Sequence, residues 1–178
     1  LPDFAAECIP ANAQRLADPR LAAADIFVLA FGWKLRQAPF VVEDIAALRQ
    51  RFDGRIVVVG PKEQGIPIPM LVAKRGSLQG NEGDMARLLD PGIVRANALL
   101  SKAEGVTYID LLSVICPDID RCAVLASADE LIFYDHAHLT AAGANYLAST
   151  SALDPLRHLI EGTDIFRGMP IRPVATVD

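Results

Sequence analysis

Two short, unbroken apolar runs constrain the fold more than any other feature of the sequence. They are "DIFVLAF" at 25–31 and "RIVVVG" at 55–60. Neither alternates apolar with polar residues, as a strand with one wet face would, so both read as strands buried on two faces. Between them Val42, Ile45, Leu48 and Phe52 recur at three- and four-residue spacing, and Gly54 follows where a helix would stop. Strand, helix, strand in that order is a βαβ unit, with parallel strands and a right-handed crossover.

The rest of the chain extends this pattern. "GPKEQGIPIP" at 60–69 is rich in Gly and Pro and follows the second strand, where a βα loop leaves the carboxyl edge of a sheet, so it is a candidate site wall. A helix is expected across 90–105, with Asp90 as N-cap, Pro91 at the first helical position and Gly105 at its end. "VTYIDLL" at 106–112 reads as a third strand. A last main helix should begin at Thr140 and run through Tyr146 or beyond, and "DPLRHLIEG" at 154–162 reads as a short helix ahead of a Pro-rich tail. The expected architecture is an α/β sandwich with a mostly parallel sheet, whose ligand sits outside the carboxyl ends of the strands.

No repeat, low-complexity tract or domain boundary interrupts the sequence, and 178 residues suit one domain over 1–178. With 52% hydrophobic residues the chain can bury a core and is not a disordered type. There is no apolar run of the roughly 20 residues that would span a bilayer, and no leader pattern. The sequence starts at Leu1 rather than Met. Further sequence upstream is therefore expected, and it would supply another strand to a thin three-stranded sheet. A net charge of −5 argues against a nucleic-acid partner and for a neutral or small substrate.

Cys116 and Cys122 bracket "CPDIDRC", where Pro117 and its acidic neighbours suggest a turn that brings the sulfurs together. A local disulfide is favoured over two buried free thiols, and it would point toward an oxidising compartment. Cys8 is left odd, either free or paired outside this sequence.

The stretch "LIFYDHAHLTAAGANYLA", 131–148, holds two of the three histidines. Asp135 and His138, three apart ahead of a helix N-cap, can lie on one side of the loop, the carboxylate holding Nδ1–H and Nε2 left free as a base. In a metal site, His136 and His138 would instead be ligands with Asp135 as a further one. His158 is the only other histidine, and no second ligand cluster with metal spacing accompanies it. The third reading is that these are surface and capping residues.

Asp135-x-x-His138, followed by Leu139-Thr140 and Gly143-Ala144, resembles the terminal block of SGNH hydrolases, also called GDSL-like esterases. The order of features is similar, more narrowly, to the SGNH domain at the C-terminus of bacterial membrane O-acyltransferases that modify cell-envelope polysaccharides. The pieces are "ADIFVLAFGW", "VVVGP" with its Pro-rich loop, "VRANALL" leading into "VTYIDLLSVIC", and "YDHAHLTAAGA", spread from Ala24 to Ala148.

The resemblance implies a flavodoxin-like α/β fold, the SGNH hydrolase fold with its first strand upstream, and a Ser–His–Asp esterase-type site. Asp135 would orient and His138 would act as base. The serine does not carry over: Gly83-Asp84 is followed by Met85, and Ser77 in "KRGSLQG" reads as a loop serine. A Gly-Asp-Ser segment is expected before Leu1. Where the family places Gly-x-Asn for its oxyanion hole, this chain has Phe31-Gly32-Trp33-Lys34. Gly32 could offer its N–H, and Trp33 its indole N–H or a flat face for a sugar ring, against the plainer reading of Trp33 as core packing. Asn81 and Asn97 are not nominated.

The implied function is an esterase or O-acyltransferase domain acting on O-acyl groups, acetyl foremost, of envelope glycans. It would be periplasmic or extracytoplasmic, tethered through an upstream membrane domain. Its partners would be an acylated glycan or acyl donor and a membrane acyltransferase domain, with no cofactor and no metal. The alternative is a catalytically incomplete SGNH fold serving as a binding or accessory module of that acyltransferase.

Overall fold

The computed structural model describes residues 10, 13–14, 17–65, 67–75, 89–117 and 122–161. After a short helix α1 (Pro19–Ala22) the order is β1 (Ile26–Ala30), α2 (Ala38–Arg49), β2 (Arg55–Val59), α3 (Ile68–Arg75), α4 (Pro91–Leu100), β3 (Val106–Ile109), α5 (Leu111–Ile115), α6 (Ala141–Ser149), a 3-10 turn (Ser151–Leu153) and α7 (Asp154–Glu161). The three strands form one parallel sheet in the order β1-β2-β3. The register aligns Ile26 with Arg55 and Ile56 with Val106.

The central strand explains why its sequence lacks alternation. Ile56 and Val58 face Ala38, Val41 and Ile45 of α2 and Ala96 and Leu100 of α4. Val57 faces the other way, into Ile68 and Leu71 of α3, Leu111 and Ile115 of α5, and Leu147 of α6. All three are essentially inaccessible to water, and burying such side chains contributes roughly 1.5–3 kcal/mol each. β1 lies at the sheet edge and is wetter, with Val28 46% exposed.

Several boundaries differ from the sequence reading. The third strand stops at Ile109, not Leu112: the Asp110 carboxylate accepts from Ser113 N at 3.0 Å and starts α5. A short apolar run fits a strand or a buried helical turn equally, and here the cap decides. Gly105 does not end the helix that Asp90 caps; α4 ends at Leu100, and Gly105, at φ +69°, turns the chain into β3. Gly54 does not stop α2, which ends at Arg49. It sits where a Cβ would crowd the Ala24 and Asp25 carbonyl oxygens, both at 2.8 Å. Thr140 caps α6 as expected, accepting from Gly143 N at 2.9 Å. Among the described residues no helix is long and apolar enough to cross a membrane.

Candidate active site

Parallel pairing puts the carboxyl ends of β1 and β2 side by side, and the loops leaving them are 31–37 and 60–67. The second loop meets the segment that carries Asp135 and His138. That segment is irregular chain. It is pinned by single antiparallel bridges between Leu125 and Leu131 and between Phe133 and Leu139, and by Ile132 N donating to Val124 O at 2.9 Å. Ile132 and Phe133 are fully buried, so the chain is anchored just before it turns outward at the exposed Tyr134.

Asp135 builds the turn that follows. Its Oδ1 accepts from Ala137 N and His138 N, both at 2.7 Å. Its Oδ2 lies 2.6 Å from His138 Nδ1. The two backbone N–H groups, then the imidazole, hold the Asp135 carboxyl well below the usual carboxylate range. A carboxylate is acceptor-only, so the ring donates Nδ1–H to it, and in the neutral ring this tautomer puts the lone pair on Nε2. The His138 side chain is 66% exposed, and its ring stacks on Tyr134 with centroids 5.5 Å apart and planes 15° apart. The site can therefore present an oriented, accessible imidazole base.

The remaining motif positions have structural reasons. Thr140 caps α6 and its hydroxyl donates to Leu131 O at 2.5 Å. Gly143 lets α6 lie on the backbone of Ile132, where a Cβ would overlap the carbonyl oxygen. The helix start is thus pressed against the strand-like arm that carries Asp135.

The 60–64 loop is tied to the same turn. Lys62 Nζ donates to Ala137 O at 2.9 Å and Gln64 N to His136 O at 2.7 Å. Burial pushes the Lys62 ammonium below its ordinary pKa, with Glu63 and Asp135 pulling it back. Pro61 O accepts from Asn97 Nδ2 at 2.8 Å, and Asn97 is buried in α4. Tyr108 donates to Asn97 Oδ1, and burial, followed by the Asp110 charge, pushes its phenol pKa up. Glu63 pairs with Lys34, and its carboxylate lies against Gly32, where a Cβ would strike it.

Gly32 thus reaches the Asp135 turn through Glu63 and its chain neighbour Lys62, whereas Trp33 does not. The indole N–H of Trp33, considered as an oxyanion donor, instead donates to Val59 O at 3.1 Å, and the ring packs beside Phe27, Leu29 and Val41. The backbone carbonyl at the end of β2 takes that donor, so only the ring face is left to meet a ligand. His136 contributes its carbonyl, while its side chain is exposed. His158 lies on α7, 3.8 Å from Glu161. Among the described residues no three His, Cys, Asp or Glu side chains are grouped to hold a metal. Cys8, Ser77, Asn81 and Gly83-Asp84-Met85 lie outside the described residues.

A disulfide joins Cys116 to Cys122 and closes the chain between α5 and the arm leading to Asp135. Lys62, Gln64 and Asn97 were not picked out by the sequence. The only signal for the first two was their place in a Gly- and Pro-rich loop after a strand.

Three comparisons bear on this geometry. No curated protein sequence matches the chain. The solved periplasmic domain of a lipopolysaccharide acetyltransferase from Salmonella ser. Paratyphi A superposes with a TM-score of 0.63 at 16% identity, covering 82% of this chain and 62% of that one. At that identity the likeness shows a shared fold, and this chain spans less than two thirds of the solved one. A family model described as "SGNH domain (fused to AT3 domains)" matches residues 2–151. That match takes in all three strands, the disulfide and the Asp135 turn, and the chain belongs to this family of SGNH domains fused to AT3 acyltransferase domains.

Proposed function

We propose that the chain supplies the Asp–His part of a Ser–His–Asp acyl-transfer site that places or removes O-acyl groups, acetyl foremost, on a cell-envelope glycan. The observation that carries this reading is the 2.6 Å contact between Asp135 Oδ2 and His138 Nδ1 beside an exposed imidazole. The solved relative, a lipopolysaccharide acetyltransferase domain, supports the substrate class. That relative is periplasmic, and the Cys116–Cys122 disulfide suits the same oxidising compartment.

The serine hydroxyl attacks the acyl carbonyl carbon while His138 Nε2 takes its proton. The new Oγ–C bond forms, the donor's oxygen leaves with the proton returned from Nε2, and an acyl-enzyme remains. A glycan hydroxyl then loses its proton to Nε2 and attacks the same carbon, the Oγ–C bond breaks, and the serine Oγ takes that proton back from Nε2. Water in place of the glycan makes the reaction a hydrolysis. Asp135 keeps His138 in one tautomer throughout, and Gly32 N–H is assigned to the oxyanion.

In this reading residues 1–178 belong to one flavodoxin-like SGNH domain, and the serine comes from a Gly-Asp-Ser segment outside them, since no such block occurs within. The partner is the membrane acyltransferase portion of the same protein. The second reading is a glycan-holding module with no turnover of its own. Aryl acetate hydrolysis by the full-length protein and its His138→Ala variant separates the two. Loss of about 10²–10⁴-fold in rate is expected; equal rates would end the enzymatic reading.

A further inference from the structure

We propose that Lys62 is a positioning residue for His138, acting through the peptide that links Ala137 to His138; this rests on the catalytic reading of His138. The N–H of that peptide donates to Asp135 Oδ1 at 2.7 Å, and its C=O accepts from Lys62 Nζ at 2.9 Å. The preceding peptide is held in the same manner. Its N–H, on Ala137, donates to Asp135 Oδ1 at 2.7 Å, and its C=O, on His136, accepts from Gln64 N at 2.7 Å.

Two successive peptide planes are therefore gripped at both ends, by one carboxylate on one side and the 62–64 loop on the other. The second plane ends at the His138 Cα, so its tilt sets where the imidazole starts from. Lys62 lies 75 residues from Ala137 in sequence, and its loop is anchored in the core by Asn97 at Pro61. The ring is thus referenced to α4 and the sheet, not only to its own turn. An ammonium suits this place better than a neutral donor. Burial lowers the ammonium's pKa and Glu63 and Asp135 counter that in part, while a charged donor makes the stronger hydrogen bond to a carbonyl.

The test is made in the full-length protein with Lys62→Met and Lys62→Arg, with His138→Ala beside them. For Lys62→Met, kcat on an aryl acetate should fall about 10–100-fold, since misplacement by about 1 Å can cost 10²-fold, with KM changed by less than about two-fold. Lys62→Arg, which keeps a charged donor, should recover most of that loss. By proton NMR the hydrogen-bonded Nδ1–H of His138 should broaden through solvent exchange in Lys62→Met and stay sharp in Lys62→Arg.

Unchanged kcat and a sharp resonance in Lys62→Met would overturn the assignment while leaving the proposed function intact, provided His138→Ala is inactive. A loss that Lys62→Arg does not restore, with the resonance unaltered, also overturns it. If His138→Ala keeps full activity, the functional reading fails, and the resonance alone decides whether Lys62 holds the ring. Should Lys62→Met not fold, Lys62→Gln carries the same comparison.

Discussion

Asp135 meets His138 twice, through the backbone N–H at 2.7 Å and through ring Nδ1 at 2.6 Å. One carboxylate thus folds the turn and orients the ring, and the two duties can be separated. Asp135→Asn keeps an oxygen for the backbone donors but turns an NH₂ toward Nδ1, which moves the ring proton to Nε2 and removes the base. We expect a fall in kcat of about 10³–10⁴-fold with the fold retained. Aryl acetate kinetics and circular dichroism on the full-length protein check both halves.

Acid should weaken the protein partly through this carboxyl. Its native pKa is depressed below 3.8, the ordinary value for an aspartate carboxyl, first by the Ala137 and His138 N–H groups and then by the imidazole. A depressed carboxyl stabilises the fold above its unfolded pKa, and that contribution is lost as pH falls through the native value. Urea unfolding midpoints should therefore drop more steeply below pH 3.8 in the wild type than in Asp135→Asn. Parallel pH dependences for the two would contradict this.

Gly143→Ala should destabilise the protein by about 1–3 kcal/mol, because the added methyl meets backbone atoms of Ile132 that cannot rotate away. Thr140→Ala should cost about 1 kcal/mol by removing the α6 cap. Denaturant titration of the two variants measures both, and a neutral Gly143→Ala would mean that α6 shifts freely against the Ile132 arm.

Reducing the Cys116–Cys122 bond should lower stability by about 2 kcal/mol, the modest value expected for a short closed loop. Thermal melts with and without reductant show it, and a Cys116→Ser/Cys122→Ser variant should match the reduced protein. A variant as stable as the oxidised wild type would contradict the assignment.

The fold was legible where burial imprints a pattern. β2 has no polar face because helices cover both sides, and its run of Ile56, Val57 and Val58 says so directly. Thr140 was legible because a cap is a local event. Leu111 and Leu112 misled for the opposite reason: apolar residues following a strand continue it unless the intervening residue starts a helix, and Asp110 does. In the site, the Asp135–His138 pair could be read because its members lie three positions apart. Lys62 could not be linked to Ala137 across 75 positions, nor Asn97 to Pro61 across 36, since neither pairing leaves any periodicity in the sequence. The Trp33 indole could be assigned to Val59 only once the strands were aligned.

The Asp135 turn hangs between isolated bridges and a few loop-to-loop hydrogen bonds, whereas β2 lies at the centre of the sheet with both faces packed. Such segments open at lower free energy than the body that carries them. On warming, turnover should fade at temperatures where the circular dichroism of the sheet is still native, and cooling should restore it. The Asp135 arm would then set a reversible thermal cutoff below the point at which the fold itself is lost.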